Sequence, residues 1–150
     1  MGDEEVDRLI TDYTKEIESN PSDVTAYLAR GTAHLEAFAF DRAIADFTKA
    51  IELKPNNDSA YTKRGGAHYE KGEYDRAISD LTKALKINSR SALAHSNLGW
   101  TYEAIGDEKR AIAHYRMALE IDPSLEEPRD NLKLLGAISV HQFFSTPHKA

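Results

Sequence analysis

Residues 41–55, DRAIADFTKAIELKP, return as DRAISDLTKALKINS at 75–89 and as KRAIAHYRMALEIDP at 109–123. The offset is 34 residues each time, and a fixed period of this length marks a stack of supersecondary units. Extending the copies backwards aligns AYLARGTAHLEAF from Ala26 with AYTKRGGAHYEKG from Ala60 and AHSNLGWTYEAIG from Ala94, so three copies run 24–57, 58–91 and 92–125. Each contains two stretches of helical period separated by a short turn such as Lys71-Gly72-Glu73-Tyr74 or Ile105-Gly106-Asp107-Glu108. Each copy is therefore expected to be a helical hairpin. Asn57, Ser91 and Ser124 stand where a side-chain oxygen caps the following helix, and Pro21, Pro55 and Pro123 fall at junctions, where they interrupt nothing.

Small residues recur at Gly31, Gly65 and Gly99, at Ala43, Ala77 and Ala111, and at Ala50, Ala84 and Ala118. Large ones recur between them, at Tyr27 and Tyr61 on the first helix and at Phe47, Leu81 and Tyr115 on the second. This alternation, with the period and the two-helix plan, resembles the tetratricopeptide repeat. The resemblance implies an all-α fold, an α-solenoid of helical hairpins whose small residues let paired helices approach. Departures are His95 in place of the first-helix aromatic, Arg30 and Arg64 at a usually apolar site, and Ser89 where the other junctions carry proline.

Fragments of the unit continue on both sides. Residues 1–23 hold a half repeat, DRLITDYTKEIESNP from Asp7, and 126–150 hold a closing helix, read from Leu125 to Leu135, followed by an apolar tail. Solenoids need such caps over their stacking faces, so seven principal helices are expected, reaching about seven-eighths of the chain.

Composition narrows the function. A net charge of −6 without a Lys/Arg cluster excludes a phosphate backbone as partner and favours basic or neutral ones. Absence of cysteine removes disulfides and thiolate chemistry. No apolar run is long enough for a membrane span and the N-terminus has no secretory pattern, so a cytoplasmic location is the expectation. His34 and His68 occupy equivalent places one repeat apart, too distant to share an ion, and are expected to pack between helices. Gly65-Gly66 lies inside a helix without a phosphate-binding pattern. No cofactor, metal or catalytic residue is expected. The internal string Glu4-Glu5-Val6-Asp7 looks like a chaperone tail, but such a ligand needs a free terminal carboxylate.

Within one chain, the stripe that differs between copies is free to recognise a partner. It lies on the first helices: Thr25, Leu28, Thr32, Leu35 and Glu36, then Ser59, Thr62, Lys63, Gly66, Tyr69 and Glu70, then Leu93, Asn97, Trp100 and Glu103. The resemblance implies that this face lines a concave groove. The family's carboxylate clamp for chaperone tails falls on Leu28, Thr32, Lys63, Leu93 and Asn97, none of which carries the required residue. One repeat later it falls on Thr62, Gly66, Asn97, Glu127 and Asn131, where only Asn97 agrees. An Hsp70 or Hsp90 tail is therefore not the expected ligand. Tyr69, Trp100, Lys63 and the carboxylates Glu36, Glu70 and Glu103 suit an extended protein or peptide partner with apolar anchors and some basic charge. Trp100 has a plainer reading, in which it packs on the closing helix against Leu134 or Leu135.

Two other functions stay open: regulatory repeats of a larger protein, and a scaffold that self-assembles through its terminal helices. Val6, Leu9, Ile10, Tyr13 and Ile17 form an apolar stripe with no hairpin partner, and Glu16 replaces the recurrent alanine. At the other end Ala137-Ile138-Ser139-Val140 and Phe143-Phe144 need cover, from an extension of the closing helix or from another copy.

Overall fold

The computed structural model describes residues 2–137, and its regular elements are helices: α1 (Asp3–Ser19), α2 (Val24–Glu36), α3 (Phe40–Leu53), α4 (Asp58–Glu70), α5 (Tyr74–Ile87), α6 (Ala92–Ala104), α7 (Glu108–Ile121) and α8 (Glu126–Leu134). Seven are 13 to 17 residues long and the eighth has nine, so the described count is eight rather than seven. α8 has its own start, because Pro128 fits a first turn and is fully buried there.

The hairpins arise from local chemistry at both ends of their first helices. Asp23, Asn57 and Ser91 each accept the N–H three residues on, from Ala26, Ala60 and Ala94, and so satisfy a donor that α2, α4 or α6 would leave orphaned. Ser124 does not cap α8. The N-cap position that Asn57 and Ser91 fill falls here on Leu125, which has no side-chain acceptor. The Ser124 hydroxyl instead donates to Asp122 Oδ1 at 2.6 Å, and the same carboxylate accepts its N–H at 3.0 Å. These two bonds hold Asp122 below the usual carboxylate range.

At the far ends, Gly72 N–H donates to Tyr69 O and Glu73 N–H to His68 O, a paired closure repeated at Gly106 and at Gly136. All three glycines sit at positive φ, 76°, 82° and 67°. The first hairpin makes the same closure with Phe38 at φ 55°, where a side chain is strained. Gly136 therefore ends α8, which does not run on past it; the apolar residues from Ile138 lie outside the described residues.

The small-residue pattern is a packing device. A Cβ at Gly31 would lie 2.5 Å from Phe47 Cε1 and one at Gly65 would lie 2.7 Å from Leu81 Cγ, while one at Gly99 would collide with the Tyr115 ring. Phe47, Leu81 and Tyr115 are fully buried, as are Ala43, Ala77, Ala111, Ala50, Ala84 and Ala118. Burying each large side chain stabilises the fold by about 1.5–3 kcal/mol. The glycine gap on one helix is thus filled by the ring or branched chain of the next.

The chain divides into two compact units between Ser89 and Arg90. In the first, α1 packs on α2, and the hairpins α2–α3 and α4–α5 pack through α3 and α4. α1 buries Val6 and Ile17, whereas Glu16 points to water in place of the alanine that lets later helices dock closely. The string Glu4-Glu5-Val6-Asp7 is helical with Val6 buried, so it is not presented as an extended ligand. In the second unit α6 pairs with α7, and α8 packs on α7.

Candidate functional site

Arg30 and Arg64, which stand at a usually apolar position, are each locked to a buried aspartate on the paired helix. Arg30 donates to Asp46 through Nε at 2.9 Å and Nη2 at 2.7 Å, and Nη1 reaches Thr14 on the preceding helix at 3.2 Å. Arg64 repeats this with Asp80 at 2.7 and 2.8 Å and with Thr48 at 3.1 Å. Two-pronged geometry of this kind strengthens the pair, and the bonds to Asp46 and Asp80 raise both guanidinium pKa values above the ordinary one. Tyr27 and Tyr61 lie under the guanidiniums, at 5.9 and 5.6 Å.

His34 and His68 complete the clusters, with Nε2 at 3.9 Å from Asp46 and 3.8 Å from Asp80. His68 Nδ1 is also bonded to Glu73 at 2.7 Å. Ala39 stands where Glu73 stands in the next copy, so buried His34 Nδ1 has no hydrogen-bond partner among the described residues. Burial lowers the His34 pKa, with the Asp46 carboxylate opposing it. Among the described residues no three His, Asp or Glu side chains are grouped to hold a metal.

In the third copy the four equivalent residues all differ, being His95, Leu98, Tyr102 and His114. His95 Nδ1 and His114 Nδ1 are 3.0 Å apart, one donating to the other. His114 stacks on Tyr102 at 5.5 Å and 9°, with Arg110 over the other ring at 5.3 Å. Burial, then repulsion from His95, lowers the His114 pKa.

The residues of the variable stripe fare differently. In the first unit, Leu28 and Leu35 pack against the core formed by Ala43, Phe47 and Ala67. Thr32 donates to Leu28 O and accepts Lys63 Nζ at 3.2 Å, which joins the α2 and α4 parts of the stripe. Glu36 and Glu70 are exposed, and Tyr69 tilts against Tyr74 across its hairpin turn at 5.8 Å. In the second unit, Asn97 is half-buried and Glu103 accepts the Tyr115 hydroxyl at 2.6 Å.

Trp100 is half-buried, and Leu134, one of the two residues expected to cover it, is 83% exposed. Trp100 lines an open cleft of about 440 Å³ with Ala92, Leu93, Ser96, Leu125 and Pro128, rimmed by Asp122, Glu126 and Glu127. Leu93, on the same helix, is 55% exposed. Sequence reasoning placed Trp100 and Leu93 on one face but missed the wall supplied by the α7–α8 junction. The only sequence signal for it is Pro123 and Pro128 bracketing a short acidic segment.

A second surface was also missed. Phe38, 80% exposed, meets Phe40 edge-on at 6.2 Å, beside Lys71, whose Nζ bridges Asp41 at 2.6 Å and Glu73 at 3.0 Å. The bonds from Lys71 and His68 pull Glu73 down to about 2.

The described fold defines a scaffold of paired helices that offers clefts and exposed side chains to a partner. The Tetratricopeptide repeat family matches residues 58–124 and its TPR repeat description matches 39–72. Together these cover more than half of the chain, which belongs to the tetratricopeptide-repeat family. MamA is similar at TM-score 0.74 and 26% identity, over 83% of this chain and 73% of that one. The TPR domain of Arabidopsis OM64 is similar at TM-score 0.74 and 26% identity, over 76% and 94%. The first TPR domain of human RPAP3, at TM-score 0.75 and 24% identity over 79% and 93%, shares the fold. A structure of the first TPR of Spaghetti (RPAP3) holds the HSP90 peptide SRMEEVD. No curated protein matches the chain at a comparable level. Domains of this family are generally protein–protein interaction modules on a typically non-catalytic scaffold. No described helix is long and apolar enough to cross a membrane.

Proposed function

We propose that the protein is an adaptor that holds an extended protein or peptide segment in the cleft beside Trp100 and catalyses nothing. The observation that carries this reading is the pairing of exposed Leu93 with half-buried Trp100 on a floor completed by Leu125 and Pro128. An apolar side chain entering the cleft covers both, and aromatics of this kind dominate binding energies. Asp122, Glu126 and Glu127 at the rim favour a basic ligand, in keeping with the net charge of −6. Asn97 and Glu103 flank Trp100 on α6; on the first unit, taken by itself, the Lys63–Thr32 pair with Glu36, Tyr69 and Glu70 is a separate set of candidate partner contacts.

A chaperone-tail clamp does not fit this reading, because its terminal carboxylate needs cations where the cleft presents carboxylates. Titration of the protein with short Lys- and Phe-containing peptides, followed by Trp100 fluorescence, tests the assignment. The emission shifts on binding, the shift weakens with salt, and Leu93→Glu abolishes it. Binding that is indifferent to both Leu93→Glu and Trp100→Ala contradicts the assignment.

A further inference from the structure

We propose that the chain's own C-terminal segment, residues 138–144, docks in the Leu93–Trp100 cleft and competes there with the partner. The inference rests on the reading of that cleft as the ligand site, and it specifies how the site is regulated.

Three observations point the same way. First, the segment has the composition the cleft selects. Ile138, Val140, Phe143 and Phe144 are apolar anchors, and no Asp or Glu occurs after Asp130, whereas His141, His148 and Lys149 follow α8. A chain with 25 acidic residues thus ends in a stretch without any, and the cleft rim carries Asp122, Glu126 and Glu127. Second, the cleft leaves apolar surface open, with Leu93 55% exposed. Third, the segment can reach. Its root is fixed by α8, since the Ala137 N–H donates to Leu132 O and the Ala137 carbonyl accepts Arg116 Nη2 at 3.2 Å. The nine residues of α8 separate that root from the cleft wall, a distance of about 14 Å at the rise of an α-helix. Seven extended residues span about 23 Å. A segment of this length running back along α8 is therefore long enough to reach Pro128 and Trp100.

Tethering makes even weak docking effective. Tethering through a short stretch of chain gives an effective concentration of roughly 1 mM, so a segment with an affinity of about 100 μM occupies the cleft about nine-tenths of the time and weakens a competitor about tenfold.

The test compares the whole chain with the same chain carrying Phe143→Ser and Phe144→Ser, each titrated with the synthetic peptide 138–150. Both substitutions lie beyond α8, so the sequence of every described helix is kept. The substituted chain is expected to expose Trp100 more to iodide quenching and to bind the peptide about tenfold more tightly. Leu93→Glu is the second variant. It raises Trp100 quenching in the parent and adds nothing in the substituted chain, a non-additivity that marks direct contact. Equal quenching and equal peptide affinity in both chains overturn the docking while the cleft assignment stands, provided the peptide shifts Trp100. A peptide that moves Trp100 in neither chain overturns both. Protection of Trp100 that grows with protein concentration assigns the segment to a second copy and overturns docking within the chain.

Discussion

The second hairpin, α4–α5, and the third, α6–α7, share their turn, their buried glycine and their two buried alanines, yet fill the space between their helices by opposite means. One holds Tyr61, Arg64, His68 and Asp80 as a buried ionic cluster; the other holds His95, Leu98, Tyr102 and His114 as an apolar and imidazole stack. The scaffold is therefore set by where no side chain fits, and the polar set between the helices is exchanged as a group. A half-made cluster would leave a buried charge without its partner, which costs more than having no charge at all.

That contrast can be broken by substitution. Asp80→Ala strands Arg64 and His68, and is expected to lower stability by about 3–5 kcal/mol, read as a large fall in the urea midpoint. Replacing the whole set, Tyr61→His, Arg64→Leu, His68→Tyr and Asp80→His, is expected to change it by less than about 1.5 kcal/mol. A full-set variant as unstable as Asp80→Ala would show that the ionic cluster is not exchangeable. Gly65→Ala puts a methyl against Leu81 and the Ala77 carbonyl, and overpacking of this kind costs roughly 1–3 kcal/mol. Equal stability of that variant would show that the helices separate freely.

Acid sharpens the same comparison. His34 and His114 both titrate below the 6.5 of a free imidazole, mainly through burial. In such a case the unfolded chain binds more protons, so stability is complete above 6.5 and is lost as pH falls towards the lowered folded value. Asp46 opposes the shift at His34, whereas His95 reinforces it at His114. His114→Phe is accordingly expected to flatten the acid side of a thermal-midpoint profile more than His34→Gln does. The smallest effect is at the turn. Phe38→Gly relieves about 1–2 kcal/mol of left-handed strain and adds about 0.5–1 kcal/mol of unfolded-chain entropy. A gain of roughly 0.5 kcal/mol in urea unfolding follows, and a loss would mean that the Phe38–Phe40 contact outweighs the strain.

The period, the glycine gaps and the Asn57 and Ser91 caps were legible because each depends on residues close in sequence or on repetition within the chain. The partners of Arg30 and Arg64 were not, since Asp46 and Asp80 lie sixteen residues away and only packing brings them into range. Phe38 was missed because its φ is imposed by the turn closure that glycine serves elsewhere. Trp100 was legible as a candidate, but its cleft depends on where α8 begins; the expected cap at Ser124 fails because the 34-residue register puts Leu125, without an acceptor, at the N-cap position.

The central claim is that recognition sits on the third copy, where the ionic cluster is absent and the cleft is open. Backbone amide mapping by nuclear magnetic resonance, during titration with a basic peptide bearing aromatic anchors, tests it most directly. The account predicts the largest shifts at Leu93, Ser96 and Trp100 and from Leu125 to Glu127, with Arg30, Asp46, Arg64 and Asp80 unmoved. Shifts concentrated on Phe38, Phe40 and Lys71, or along α1, with α6 silent, would contradict it.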